Sequence, residues 1–459
     1  MVEADKDSMT ADYRARSYYL RDGAFLWFDR SGFDHRAQFV LDYINKVDEL
    51  GFSKRQFRCA QIKADLERFR SLDFDDVNTI NKVAARLEYN LTKAFFRYAI
   101  GQRFGFVNPK YLLNRLDVLE SDSVNTTYRG LFDIPVERFG KRAYQMMIDK
   151  IRHDSVDHYL AEIQPRGPLY MQLKEELSRF SAGSPAYNRV LCNMERCRWR
   201  QPDYPSLHHK YVLVNLPSFH LQAVDGEKVL SMRIGCGSFE TKTPLLISRI
   251  KRMDVNPQWV LPRSIIKNDV LKHVGNAAYF RSRNFFVRER KTGKVIAPEH
   301  ITSEMLTGKD YVLAQKGGEG NSLGRIIFRF NNNFSVFLHD TSSRGVFSQQ
   351  DRDVSHGCIR VEKPFDLAVF MMEEKDEALI DKLSYSMAAR EIERNPALPE
   401  EVQDTLQTDK LVRSINVSPE IPLFITYFTL YPNEGGVLRE YPDIYGYDQV
   451  IGRHLRNYR

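Results

Sequence analysis

The sequence predicts an α+β multidomain protein, with a helical N-terminal part followed by a mainly β part. Two observations about period carry this. Apolar residues recur at three and four up to about residue 195, and from Tyr211 onward they alternate with a period of two. A third observation is a compact cluster, Ser355-His356-Gly357-Cys358-Ile359-Arg360, set between a β-like run ending at His339 and a helical pattern after Pro364. Chemistry-bearing residues placed on a connection between regular elements mark a candidate site.

The helical elements follow in order. In the window Phe39 to Leu50, the residues Val40, Tyr43, Ile44, Val47 and Leu50 form one stripe, with Gly51 as a stop signal. A stronger helix is expected from about Asn78 to Ile100, with Val83, Leu87, Leu91, Phe95 and Tyr98 on one face, Asp76 or Asn78 as its cap and Gly101 near its end. Weaker patterns cover Val136 to Ile151 and Leu169 to Phe180. The run Ser181-Ala182-Gly183-Ser184-Pro185 breaks the pattern as a turn or linker, and a short helix follows from Tyr187 to Trp199. These place a helical domain at 1–195 and a second domain at 196–459.

In the second domain, Tyr211 to Pro217, Phe219 to Val224 and Val229 to Gly235 read as a β meander, with Asp225-Gly226 as a turn. The pattern is irregular between about Ser248 and Lys316, apart from a short helical stretch near Ile266 to His273, and suits a cover over a site at about 250–316. Gly317 to Gly324 opens the strand Arg325 to Phe330 and reads as turn chemistry; a phosphate-binding loop would open a helix. Lys363-Pro364-Phe365-Asp366 starts a helix with Phe365, Leu367, Ala368, Phe370 and Met371 toward the core, and charged helical residues continue to about Asn395. The β run Ile421 to Tyr431 is expected to return to the same sheet.

Composition narrows the function. The chain has 459 residues, 42% hydrophobic and 28% charged, with a formal net charge of +7. That charge suits a loose attraction to an anionic polymer, but no Lys/Arg block is dense enough for nucleic acid. The five cysteines are scattered and odd in number, which excludes a disulfide framework, and Cys192 and Cys197 lack partners at zinc-ligand spacing. No apolar stretch reaches the roughly 18 residues of a membrane span, and the start MVEADKDSMT has no signal-peptide pattern. An exported protein of this sequence would have its signal or anchor outside this chain.

Cys358 follows Gly357, which permits close approach of a substrate, and precedes a helical pattern whose free N–H groups would favour a thiolate. His339, at a strand end, suits a base for that thiol, its ring oriented by Asp340 or by that residue's backbone carbonyl. His356 and Ser355 suit a role in shaping the loop. Arg360 either binds a substrate carboxylate or fixes the loop through Asp340 or Glu362.

His339, a spacer, and then Ser355-His356-Gly357-Cys358-Ile359-Arg360 resemble the signature of the L,D-transpeptidases of YkuD type, which cross-link peptidoglycan. Asn193-Met194-Glu195-Arg196, Tyr211 to Phe219, Asn256-Pro257 with Trp259, the Gly-rich turn before Arg325 and Tyr441 to Gly446 look like the large YcbB-like members. Leu91 to Phe106 is similar to their scaffold domain. The likeness implies a helical scaffold, a mixed, mainly β YkuD-type catalytic domain and a capping subdomain.

It also implies roles. Cys358 is the acylated nucleophile and His339 the base, oriented by the Asp340 carbonyl. Ser355, His356 and Gly357 shape the loop, backbone N–H groups of Gly357 and Cys358 bind the oxyanion, and Arg360 and Trp259 meet substrate. The implied reaction forms 3-3 cross-links through a thioester, without metal or organic cofactor, and is open to acylation by carbapenems. The implied partners are peptidoglycan stem peptides as donor and acceptor, together with cell-wall synthases, in the periplasm, with an inner-membrane anchor beyond this chain. An L,D-carboxypeptidase, an amine-attaching transferase and a non-catalytic wall-binding scaffold are the alternatives. Two departures stand out. Only about Ser181 to Val190 lies where large relatives commonly insert a peptidoglycan-binding module, and Cys197 replaces a usual aromatic residue.

Overall fold

The computed structural model describes residues 2–3, 5–7, 9–21, 23–29, 32–33, 35–121, 125–373, 376–389 and 407–459. They form two compact units, Met1–Pro202 with Phe428–Arg459, and Asp203–Tyr427. This corrects the expected division at 195: the last part of the chain belongs with the helices. The reason is burial and pairing. Tyr447, Ile451 and Leu455 of the helix Tyr447–Leu455 are buried, Arg196 pairs with Asp448 at 2.6 Å, and the Asn193 amide donates to Thr429 Oγ1 at 2.8 Å.

The helical unit contains α1 (Thr10–Arg21), α2 (His35–Ile44), α3 (Cys59–Ser71), α4 (Ile80–Phe104), α5 (Lys141–Arg152), α6 (Pro168–Leu177) and α7 (Pro185–Arg198). The expected apolar face of α4 is buried, but so are Glu88, Lys93 and Arg97 on its other faces. A helix buried all round can carry charges only where each is paired. Lys93 Nζ donates to Asp5 Oδ2 at 2.6 Å and Asp7 Oδ2 at 2.7 Å; Arg97 forks onto Asp12 at 2.7 and 2.9 Å. Glu88 accepts from the Trp27 N–H at 3.0 Å and the Tyr19 hydroxyl at 2.8 Å. Helix α4 starts after Thr79, so neither Asp76 nor Asn78 caps it, and it continues past Gly101 to Phe104. Helices α1 and α3 escape a reading of apolar period because a buried Asp12 and a buried Asp65 stand on their inner faces.

The second unit is built on β1 (Lys210–Asn215), β2 (His220–Asp225), β3 (Lys228–Gly237), β4 (Leu245–Val255), β5 (Trp259–Val260), β6 (Phe285–Glu289), β7 (Val295–Ile296), β8 (Tyr311–Gln315), β9 (Ile326–Phe330), β10 (Leu338–His339), β11 (Asp353–Ser355), β12 (Ile359–Val361) and β13 (Ser414–Thr426). The order β1-β2-β3-β12-β10-β9-β4-β13 returns to β1, closing the sheet into a barrel. Closure leaves no unpaired edge in that ring. The expected meander is β1 to β3. Of the expected terminal run Ile421 to Tyr431, only the part up to Thr426 lies in this sheet, as the end of β13, which pairs with β1 and β4; Leu430–Pro432 pairs instead with Leu438–Glu440. Helix α8 (Pro364–Met371) follows the cysteine segment, with Leu367, Ala368 and Met371 buried and Phe365 and Phe370 half-buried. A second helix covers Glu377–Ala388; the expected continuation toward Asn395 lies outside the described residues.

The cover region differs from expectation in two ways. Residues 250–255 belong to barrel strand β4, whose Ile250, Met253 and Val255 are buried although Lys251 and Arg252 interrupt the apolar pattern. Beyond it, 259–316 is not irregular but a small sheet of order β5-β8-β6-β7 with short helices over its own core of Leu261, Ile266, Val270, Phe280, Phe285, Val287, Ile301, Leu306 and Leu313. At about 1.5–3 kcal/mol for each large apolar side chain removed from water, that core makes the cover a body rather than a loose loop. No helix among the described residues is long and apolar enough to cross a membrane.

The charge network on α4 yields a prediction. Asp12→Ala removes the carboxylate fork from buried Arg97, which keeps the Asp7 carboxylate at 2.8 Å, and the protein is expected to lose about 1.5–3 kcal/mol of stability in urea unfolding followed by circular dichroism. Lys63→Ala, at an exposed pair with Glu67, is expected to cost less than about 0.5 kcal/mol. Equal effects would contradict the account.

Candidate active site

Strands β10 and β12 run parallel, with Leu338 opposite Ile359 and His339 opposite Arg360. Side chains alternate between faces along a strand, so this register sorts the segment in two. Leu338, Ile359 and Val361 are buried on one side. Phe337, His339, Cys358 and Arg360 face the other and line one cavity of about 630 Å³, whose opposite wall includes Trp259, Leu261 and Ile265 from the cover.

His339 is buried and donates from Nδ1 to the backbone carbonyl of Asp340. That bond assigns the neutral tautomer and leaves Nε2 with a lone pair. Burial lowers the imidazole from 6.5 to about 4; the Arg360 charge acts the same way, against the carbonyls of Asp340 and Leu323. Of the two expected orienting groups, the carbonyl is therefore the one in place. The Asp340 carboxylate is turned away, accepting the Arg325 N–H at 2.8 Å and pairing with Arg344 at 3.1 Å. It holds the end of the Gly-rich turn, where Gly324 has φ +65° and a Cβ would meet Asp340 Cγ at 2.4 Å.

Cys358 is partly exposed. Its thiol is raised by burial, opposed by a backbone hydrogen bond from Phe337 and by the Arg360 charge. The expected help from a helix N-terminus is absent, since strand β12 follows the cysteine directly and α8 begins only at Pro364. Sγ lies 4.0 Å from the carbonyl of Ser335, a residue held at φ +55°. Ser355 ties the loop to itself: its hydroxyl donates to the Cys358 carbonyl at 2.6 Å and accepts the Gly357 N–H at 3.1 Å. One of the two expected oxyanion donors is thus already engaged, whereas the Cys358 N–H meets no acceptor among the described residues. Gly357 has φ +111°, a conformation that strains any side chain.

Arg360 is half-buried and bonded to neither Asp340 nor Glu362, which pair with Arg344 and Arg233 instead. Its Nε is buried without a partner, so of the two expected uses the loop-fixing one is not made. Trp259 lines the cavity from β5, paired with Gln315 of β8. His356 is exposed, lines the same cavity and lies 3.6 Å from Asp269 of the cover.

Several supports were not apparent from sequence. Thr243 Oγ1 accepts the Gly237 N–H at 2.9 Å and donates to the Gly357 carbonyl at 2.9 Å, while Thr241 Oγ1 donates to the Ser355 carbonyl at 2.7 Å. Gly237 has no space for a side chain, because a Cβ would lie 2.1 Å from the Thr241 carbonyl oxygen. Arg352 is buried and donates to the Ile234 carbonyl at 3.0 Å, anchoring the chain ahead of the loop. Asn332 accepts the N–H groups of Phe334 and Val336 at 2.9 and 3.2 Å, which fixes the turn at Ser335. None of these residues belongs to a recognisable spacing; only the Gly-Cys-Gly run at 235–237 offered a signal, as a place of close backbone approach.

Comparison with known proteins agrees with this geometry. Residues 209–380 match the model of the YkuD L,D-transpeptidase catalytic domain, and residues 12–177 match the model of the Scaffold domain. A Haemophilus influenzae protein provisionally named an L,D-transpeptidase is 28% identical over 313 residues, covering 67% of this chain. The chain spans only 58% of that relative's length. A solved structure, a cysteine-to-serine mutant of an Enterococcus faecium L,D-transpeptidase, aligns at 15% identity over 38% of this chain and 50% of that one, with a TM-score of 0.18, too slight a likeness to bear on the assignment. The chain thus carries a Scaffold domain at 12–177 ahead of a YkuD L,D-transpeptidase catalytic domain at 209–380, and the latter holds His339 and Cys358 in one cavity.

Proposed function

We propose that the protein is a peptidoglycan L,D-transpeptidase that forms 3-3 cross-links through a cysteine thioester. The observation that carries this reading is the shared face of His339 and Cys358 in one cavity, with His339 Nδ1 committed to the Asp340 carbonyl and Nε2 left to act.

Burial holds thiol and imidazole neutral before substrate arrives. As Sγ attacks the carbonyl after the third residue of a tetrapeptide stem, the thiol proton passes to His339 Nε2 and the oxyanion meets the Cys358 N–H. Collapse breaks the bond to D-alanine, whose amine leaves with the proton from His339. The side-chain amine of a neighbouring stem then attacks the thioester and gives a proton to His339. That proton returns to sulfur as the thiolate departs, completing the 3-3 link. Arg360, with its unpartnered Nε at the cavity, binds a donor carboxylate, and Trp259 packs on the stem from the cover side. His356 and Ser355 shape the loop. The substrate sets the place of action, the periplasm, with wall synthases as working partners.

Three expected outcomes test this. Intact mass spectrometry after incubation with a carbapenem should give a drug-sized adduct on the wild type and none on Cys358→Ala; disaccharide-tetrapeptide should yield a dimer lacking one D-alanine. Conversion to tripeptide alone would replace transpeptidation by hydrolysis.

Isotope-edited NMR of the imidazoles should find His339 neutral, with the proton on Nδ1, down to about pH 5, below the ordinary 6.5. Because the folded state binds this proton less readily than the unfolded one, His339 contributes stability above pH 6.5 that is lost as pH falls through about 4. A folded-state titration near 6.5 would contradict the burial argument.

Arg360→Gln should raise KM for the tetrapeptide about tenfold or more, in line with losing a charged hydrogen bond. A donor amidated at its terminal carboxylate should cost the wild type similarly and the variant little. If amidation penalises both proteins equally, Arg360 does not read that carboxylate.

A further inference from the structure

The positive charge of this protein is concentrated. Residues 259–316 hold eleven Lys and Arg against five Asp and Glu, which leaves the rest of the chain close to neutral out of its formal +7. This segment is the cover, with its own sheet and core. Within it the cations gather at one end of the sheet. Strand β6 and β7 form a hairpin whose tip carries Arg288, Arg290, Lys291 and Lys294, and the Arg290 N–H donates to the Asp310 carbonyl at 2.7 Å, which brings Lys309 to the same end.

All five side chains are exposed, and none has an ion-pair partner among the described residues. Their two acidic neighbours do not neutralise them. Glu289 accepts a hydrogen bond from the Thr292 hydroxyl, and Asp310 forms no ion pair among the described residues. Core-facing Phe285 and Val287 fix the hairpin, so the cations are presented by a held element rather than a free loop.

The place of this patch relative to the cavity limits what it can bind. Trp259, in the cavity wall, pairs with Gln315 at one end of β8, and Tyr311 at the other end pairs with Glu289 beside the cations. Four residues of strand span about 13 Å. That is too far for contact with the acyl group on Cys358, but within reach of a neighbouring unit on the same polymer.

We infer that the hairpin end of the cover is an electrostatic docking surface for the carboxylate-bearing stem peptides that flank the donor on a peptidoglycan strand. The inference rests on the transpeptidase reading for its choice of polymer. Each stem ends in a carboxylate, so a strand presents anionic groups repeatedly, and a cluster of unpaired cations attracts such a strand while leaving recognition of a single donor to the cavity.

The test is the variant Arg288→Glu, Arg290→Glu, Lys291→Glu, Lys294→Glu, beside the wild type. Cosedimentation with purified sacculi, measured from about 50 mM to about 500 mM salt, should show wild-type binding that weakens with salt and variant binding roughly tenfold weaker at the low end. The rate of carbapenem acylation and turnover of monomeric disaccharide-tetrapeptide should be unchanged, which also reports that the variant is folded. Sacculus binding equal in both proteins overturns the inference. Unchanged sacculus binding with lost binding to phosphatidylglycerol vesicles also overturns it, and makes the patch a membrane surface. A wild type that turns over no stem peptide, yet loses sacculus binding in the variant, would leave the docking surface standing and remove the transpeptidase reading.

Discussion

The site depends on the parallel register of two very short strands. Leu338–His339 and Ile359–Val361 pair so that one face is packed and the other carries Phe337, His339, Cys358 and Arg360. A slip of one residue would turn the imidazole and the thiol into the core. Strands this short do not hold a register alone. The barrel holds it, because β12 also pairs with β3 through Arg360 and Gly235, and β10 pairs with β9 through His339 and Ile327. The large apolar core of the barrel thereby fixes the position of a few polar atoms.

The same burial that gives the site its precision opposes charge within it. The thiol is raised and the imidazole lowered, and Arg360 favours a thiolate while disfavouring an imidazolium. In the proposed reaction, the groups that stabilise charge are directed at where it develops: the Cys358 N–H, which meets no acceptor among the described residues, for an oxyanion, and the Phe337 N–H for sulfur. Catalysis by such a site relies on groups already oriented before the reaction, and Ser355, Thr241, Thr243 and Gly237 are the residues that keep the loop from relaxing.

Much of this could be read from the chain because it is local. The cluster around Cys358, the His339 strand end, the Asp225-Gly226 turn and the stripe on α4 each announce themselves within a few residues. What could not be read depends on distant partners. Strand β4 looks too basic for a barrel until Ile250, Met253 and Val255 find their side of the sheet. Asp12 argues against a buried helix face until Arg97 arrives from 85 residues away. The cover reads as irregular in sequence because its strands are two to five residues long, and the last segment joins the helices through partners far away in sequence, such as Asn193 with Thr429. The expected helix dipole at Cys358 failed because five residues, Ile359 to Lys363, separate the cysteine from α8.

Under the proposed reaction, a nucleophile that waits as a thiol has a consequence outside catalysis. Peroxides oxidise cysteine through the thiolate, so a sulfur kept protonated by its surroundings is a poor target for them, however open its cavity. The burial that slows the resting sulfur is also what preserves it against sulfenic acid formation. That resistance to oxidation comes from the apolar wall of Phe334, Val336 and Phe337 in the cavity that holds the thiol.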